Sequence, residues 1–234
     1  RSAADWNALT IAVDRPDVWR EGKWLAAAAP DAEAPFDIAF QDASRFPLHL
    51  DFLRAAFPAR YGGLDPVEYT AIAAHRATRR LLAGGLRSFG GPDGTPVYGF
   101  DVWTADGEPA ELLTLDETLA LHRRLARAFR RRPLVYAPTQ PDAVALARTW
   151  AHPGLPIGFP SAPPPVSFEA YTRGIAYGTV RRLTVDDLVG AVAAGTLSWQ
   201  DVVILDRAPT DIDVVLAGVV TGARQGPLSH LNVR

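Results

Sequence analysis

Residues 214–234 read VVLAGVVTGARQGPLSHLNVR. The apolar, β-branched run over 214–220 predicts a buried strand that ends at Thr221-Gly222. A glycine-bearing loop follows, and Ser229-His230 stand just before Leu231-Asn232-Val233, where a helix is expected to begin. Unpaired backbone N–H groups and the positive dipole end make a helix start favourable for an anion. If an imidazole placed there carries a phosphoryl group, the loop and the helix start would hold its oxygens. The alternative for His230 is a capping histidine with no chemistry.

The residues leading up to this stretch read as the same kind of structure. DVVIL at 201–205 is a buried strand, and 174–183 is a strand with glycines where the backbone must bend or approach closely. Between them, Thr184-Val185-Asp186-Asp187 caps a helix that carries Leu188, Val189 and Val192 and ends at Gly195. Runs with so little polar alternation belong in the middle of a domain. Further upstream, Pro163-Pro164-Pro165 cannot continue a helix or a central strand and favours a semi-rigid spacer. The expected organisation is therefore a first domain over 1–158, a proline-rich linker over 159–171 and a second domain over 172–234.

The first domain alternates strand and helix signals, which indicates an α/β or α+β fold. FDIAF at 36–40 alternates as a strand does, and Pro47 with the apolar spacing over 46–53 suits a first helical turn. His49 in that turn reads as a structural hydrogen bonder. Asp65-Pro66-Val67-Glu68 opens a helix with a capping aspartate, a first-turn proline and a glutamate three residues after the cap. That helix is predicted to run through Tyr69, Ile72, Ala73 and Leu81 and to stop at Gly84-Gly85, with His75, Arg76, Arg79 and Arg80 on a solvated basic face. Residues 97–103 read as a strand, and Asp106-Gly107 as a tight turn.

Thr114 and Glu117 open a second helix that carries Leu115, Leu119, Leu121 and Leu125 into a core. Arginines from Arg123 to Arg132 suit its negative dipole end, with phosphate binding as the alternative use. Residues 134–136 form a short buried strand and 139–150 a third helix. The first thirty-odd residues, with Trp6, Trp19 and Trp24, read only as a packed extension.

At 234 residues and 25.3 kDa the chain is long enough for a sizeable core. With a net charge of −2 it has no global pull toward nucleic acid or an anionic membrane. No segment approaches the ~20 apolar residues that cross a bilayer. The absence of cysteine excludes disulfides and thiolate metal sites. The chain starts at Arg1 and has no methionine, so a fragment is expected. The expected compartment is the cytoplasm, with a removed upstream signal left open.

Phosphoryl carriage needs a neutral, exposed imidazole, and an ordinary histidine pKa of ~6.5 supplies the neutral form. Around His230, Thr221 and Ser229 can offer hydroxyls, Gln225 an amide and Arg224 a cation, while Gly222 and Gly226 let backbone N–H groups turn inward. Ser229 is not activated by its neighbour, because adjacent residues at a helix start diverge. Walker, HExxH and G-x-S-x-G motifs are absent. No metal site is expected, since His49, His75, His122 and His152 are scattered along the chain without close pairing.

GIAYGTV at 174–180, DVVILDRAPTDIDVVLAGVVT at 201–221 and QGPLSH at 225–230 together resemble the swivelling phosphohistidine domain of the pyruvate phosphate dikinase and phosphoenolpyruvate synthase superfamily. A similar variant is that of bacterial proteins containing a PEP/pyruvate-binding domain, whose accessory front domain is similar to FDIAFQDASRFPLHLDFL at 36–53. The resemblance implies an N-terminal mixed α/β domain followed by an incomplete swivelling β/β/α domain. It implies that His230 takes phosphate from ATP bound with Mg on a separate ATP-grasp domain and passes it to a small-molecule acceptor. The proline spacer would let the carrier swing, and the fragment would bind no cofactor and turn over no ATP alone. Gly226 stands where related loops place a hydroxyl residue, and the Gly-Gly-x-Thr pattern of the dikinases is absent. The alternative is a non-catalytic binding or scaffolding module that keeps the swivelling fold.

Overall fold

The computed structural model describes residues 3–15, 18–28, 34–91, 93–105, 108–158, 170, 174–209, 212 and 214–222. The chain divides into two compact units, residues 1–166 and 167–234, each a mixture of helices and strands.

The first unit is built on a mixed six-stranded sheet. After helix α1 (Ala3–Leu9) come β1 (Ile11–Arg15), β2 (Val18–Ala27) and β3 (Ile38–Gln41). Three helices follow, α2 (His49–Ala56), α3 (Pro58–Tyr61) and α4 (Pro66–Ala73), then the strands β4 (Leu81–Gly90) and β5 (Pro96–Phe100). A single 3-10 turn (Pro109–Glu111), α5 (Leu115–Ala128), β6 (Leu134–Tyr136) and α6 (Pro141–Ala147) complete the unit. The strand order is β1-β2-β4-β5-β6, with β3 also on β2. All pairings are antiparallel except β5 with β6, which α5 connects as a crossover.

Strand alternation sends each residue set to its own helical layer. On one face Trp24, Leu86, Tyr98 and Phe100 join Trp6 of α1 and Leu119, Leu121 and Leu125 of α5. On the other, Leu25, Leu81 and Ala83 meet Leu50 and Leu53 of α2, Tyr61 of α3, and Tyr69 and Ala73 of α4. The segment expected to be a mere extension thus supplies the central strand β2, whose Trp24 is fully buried.

The helix opened by Asp65 is shorter than its pattern suggested. Asp65 and Glu68 form the expected capping box, but α4 ends at Ala73 and Leu81 begins a strand instead of closing the helix. The run from Leu81 is buried on both faces, and Gly84 and Gly85 lie inside β4 because side chains crowd both sides of it. A Cβ on Gly84 would lie 2.1 Å from the Asp101 carbonyl oxygen and 2.7 Å from the Trp24 ring. Here glycine marks close backbone approach within a sheet, not a helix stop. His75, Arg76, Arg79 and Arg80 consequently sit in the connection between α4 and β4.

Other elements differ mainly at their ends. The strand expected over 36–40 is β3, which starts two residues later and ends one later, and Pro47 precedes α2 rather than lying in its first turn. Thr114 and Glu117 form their capping box on α5. The turn expected at Asp106-Gly107 lies outside the described residues.

The second unit contains β7 (Thr179–Leu183), α7 (Val185–Ala193), β8 (Asp201–Leu205) and β9 (Gly218–Thr221) in a parallel sheet of order β7-β8-β9. Thr184 and Asp187 cap α7, and Gly195 just beyond it has φ +62°, the left-handed conformation that closes a helix. Leu188 packs on Val203 and Leu205. The expected strands at 174–183 and 214–220 are trimmed at their starts, since only their last residues pair with β8 and Val215 stands exposed. On the face opposite Val203 and Leu205, Val180, Ile204 and Val220 are exposed, so the continuous apolar pattern does not by itself cover both sides of this sheet.

Candidate functional site

In this parallel sheet the last strand reaches its carboxyl end at Thr221, level with Leu205 of β8. The Gly222 N–H donates to the Leu205 carbonyl at 2.8 Å, and a Cβ there would meet the Asp206 carbonyl oxygen at 2.5 Å. Glycine is needed at 222 because the chain presses on the β8 terminus as it leaves the sheet. Thr221 and Gly222 thus stand at the carboxyl edge, the side on which open α/β sheets hold ligands. His230, with Arg224, Gln225, Gly226 and Ser229, lies outside the described residues; of the candidate contacts, Thr221 and Gly222 are described.

The same edge carries the start of α7. Its first free backbone donor, the Val185 N–H, is taken by the Asp206 carboxylate at 2.9 Å. Thr184 and Asp187 cap each other, and the Thr184 hydroxyl holds the Asp187 carboxyl below its ordinary range. Arg207 pairs with Asp186 at 2.9 Å and lies 3.9 Å from Asp206. The Val185 and Asp187 N–H groups at the α7 start are therefore already taken, by the Asp206 carboxylate and the Thr184 hydroxyl.

A second polar grouping lies inside the first unit, where no motif drew attention. Glu21 and Arg87 are partners across β2 and β4, Lys23 stands on the same face two residues further, and Asp101 follows β5. The Arg87 Nε donates to Glu21 Oε1 at 3.1 Å, its Nη1 to the Ala137 carbonyl at 3.5 Å, and its Nη2 to Asp101 Oδ2. Asp101 Oδ2 also accepts from the Thr139 hydroxyl at 2.8 Å, and Oδ1 from the Gly85 N–H. Lys23 Nζ donates to the Pro47 carbonyl at 2.5 Å, and His49 Nε2 lies 3.4 Å from the Gly84 carbonyl. His49 is thus held as a buried polar residue of the α2 layer, as expected of a structural histidine.

Burial works against charge on Arg87, but Asp101 and Glu21 outweigh it and push its pKa up. Burial likewise opposes ionisation of Asp101, and Arg87 outweighs that, so its carboxyl is held low. Burial lowers the Lys23 ammonium to about 8 despite the pull of Glu21 and Asp101. With two cations against two carboxylates and nearly every polar atom engaged, the array ties β2, β4, β5 and the approach to α6 together. Its chemical capacity is that of a clamp. The signal in the sequence was charge at the inward positions of otherwise apolar strands, EGKW at 21–24 and LRSF at 86–89.

The arginines at the end of α5 also have structural partners. Arg124 holds Asp37 at 2.5 Å and the Ala27 carbonyl at 2.8 Å, Arg131 donates to the Tyr98 hydroxyl at 2.8 Å, and Arg132 closes on the Phe129 and Ala126 carbonyls. Among the described residues the one grouping with metal-ligand spacing is His75, Glu108 and Glu111. One Glu111 oxygen there is already engaged by the Arg76 N–H and lies 3.6 Å from Arg79. Among the described residues no helix is long and apolar enough to cross a membrane. Comparison with protein-family models, curated proteins and solved structures finds no match for this chain.

Proposed function

We propose that the chain is the phosphohistidine-carrier part of an ATP-dependent phosphotransferase, with His230 as the carrier. The observation that supports this most directly is that Thr221 and Gly222, the last described residues before QGPLSH in the sequence, stand at the carboxyl edge of a three-stranded parallel sheet. With the Val185 and Asp187 N–H groups at the α7 start taken by the Asp206 carboxylate and the Thr184 hydroxyl, the phosphoryl oxygens would depend on Thr221, Arg224, Gln225 and Ser229, with the backbone at Gly222 and Gly226.

In the first half-reaction a ring nitrogen of His230 attacks phosphorus, an N–P bond forms, the P–O bond to the donor breaks and the imidazole gives up its proton. In the second, an acceptor oxygen attacks phosphorus and the N–P bond breaks, which returns the neutral ring. ATP and its Mg belong on an ATP-grasp domain, in the same chain or a separate one, and the acceptor is a small molecule.

The test is labelling of the complete protein from ATP labelled in a transferable phosphoryl group. The chain is expected to gain label that is stable in base and labile in acid, absent in His230→Ala and reduced in Ser229→Ala and Thr221→Val. Each of the latter removes one contact to a charged oxygen, worth about 1 to 3 kcal/mol. Label that persists in His230→Ala, or an unlabelled wild-type protein, overturns the assignment and leaves the scaffold reading.

A further inference from the structure

Three side chains that can ligate a metal meet where the connection from α4 into β4 passes the 3-10 turn. His75, Glu108 and Glu111 each place a ligand atom within 4.8 Å of the other two. They come from two segments that β4 and β5 separate in the sequence, and a search for paired histidines does not find them.

Each segment is fixed locally. After α4 the Thr78 N–H donates to the His75 carbonyl at 3.2 Å and the Arg80 N–H to the Ile72 carbonyl at 2.8 Å, so the connection turns back with His75 at its start. The 3-10 turn opens on Pro109 and closes through the Glu111 N–H on the Glu108 carbonyl at 2.9 Å. Positions three apart eclipse in this kind of turn, which brings the Glu108 and Glu111 carboxylates to one side.

Glu111 is anchored from outside the group. Its Oε2 accepts the Arg76 N–H and lies 3.6 Å from Arg79, which also donates to the Glu111 carbonyl at 2.7 Å. Its Oε1 faces His75 Nδ1 at 3.8 Å. That separation is too long for a hydrogen bond. Two ligands on one tetrahedral zinc ion, with bonds of about 2.0 to 2.2 Å, stand about 3.4 Å apart, so a shift of a few tenths of an ångström puts both on the same ion. A carboxylate held through one oxygen by outer donors, with the other oxygen turned to an imidazole, is oriented as metal ligands are.

The charges agree with this. Among the described residues no arginine or lysine forms an ion pair with Glu108, which is exposed. The Arg76 guanidinium is turned away, to the Leu112 carbonyl at 2.9 Å and Glu117 at 2.5 Å. Two neighbouring carboxylates repel each other, and a dication between them replaces repulsion with attraction.

We propose that His75 Nδ1, Glu111 Oε1 and a carboxylate oxygen of Glu108 bind one divalent transition-metal ion of the zinc class. The imidazole selects such an ion over magnesium or calcium, which take oxygen ligands. Three protein ligands leave the fourth position open to water or another small ligand. The site does not involve His230 and does not depend on the carrier reading.

The experiment uses the full 234-residue chain, stripped with a chelator, in calorimetric titrations with zinc, magnesium and calcium chlorides. Zinc is expected to bind with a dissociation constant of about 10 μM or less, and magnesium and calcium at least about a hundredfold more weakly. His75→Ala and Glu108→Gln are expected to keep the thermal midpoint of the metal-free wild type and each to lose about tenfold or more in zinc affinity. His152→Ala, which removes another imidazole, is expected to keep the wild-type affinity. Absence of zinc binding, equal binding of magnesium or calcium, unchanged affinity in either His75→Ala or Glu108→Gln, or an equal loss in His152→Ala overturns the proposal.

Discussion

Lys23 is a buried cation whose cost can be read from the pH dependence of folding. Its side chain lies under α2 with its ammonium on the Pro47 carbonyl, and burial lowers its pKa from 10.5 to about 8. Below pH 8 the folded and unfolded chains both hold the proton, and the penalty for burying the charge is carried in full. Above it the folded protein releases the proton while the unfolded chain retains it up to 10.5. Stability therefore rises with pH across that window, in the direction linkage requires when the unfolded state binds more protons. The full difference amounts to about 3 kcal/mol, of which about 2 kcal/mol falls between roughly pH 7.5 and 9.5.

That window is otherwise quiet. The chain has no cysteine, so no thiol titrates there. Tyr61, Tyr69 and Tyr136, all raised by burial, act at higher pH and in the opposite sense, since the unfolded chain loses their protons first. Urea unfolding at closely spaced pH values should show the rise in the wild type and its disappearance in Lys23→Met. In Glu21→Gln the rise should begin at lower pH, because Glu21 favours the charged form of Lys23. An equal rise in Lys23→Met, or a flat profile in the wild type, would refute the assignment of the shift to this buried ammonium.

Arg87→Met should destabilise the first unit by about 3 to 5 kcal/mol, because Glu21 and Asp101 would remain buried without their cation; chemical denaturation at neutral pH measures it. Arg181→Ala, which breaks the Asp201 pair where the arginine is 44% exposed, should cost less than about 1 kcal/mol in the same assay. Thr114→Ala removes the side-chain acceptor of the Glu117 N–H at the start of α5 and should cost about 1 kcal/mol, with Thr114→Ser restoring most of it.

What the sequence made legible was local chemistry. Asp65, Thr114 and Thr184 announce helix starts because a cap is settled within four residues, and all three form. Gly195 announces a helix end for the same reason. Beyond the first turn the signal fails, as at α4. Tyr69, Ile72 and Ala73 continue into Leu81 with a spacing a helix could use, yet the chain leaves the helix at Ala74 and enters a strand at Leu81. The deciding facts are distant in sequence: β2 pairs with β4 from Arg20 to Ala27, and the Asp101 carbonyl lies against Gly84. β2 itself was missed because EGKWLAA mixes charge with alanine, and neither a half-exposed alternation nor a pure apolar run is visible in it.

The same distinction separates the two polar groupings. QGPLSH could be singled out as a motif because its residues are consecutive in sequence, and of the residues expected around it Thr221 and Gly222 are described. The Glu21, Lys23, Arg87 and Asp101 array was not legible, since its members come from two strands and the segment after a third, and each alone reads as an ordinary surface charge. Only the register turns them inward: Glu21 opposite Arg87 on β2 and β4 requires that Lys23, two residues along, share their face. Charge buried on one face of a sheet whose other face holds Trp24 and Phe100 costs free energy unless paired. Cation and carboxylate therefore have to meet across strands, and a charge of opposite sign must be sought at the cross-strand position whenever a central strand carries one inward.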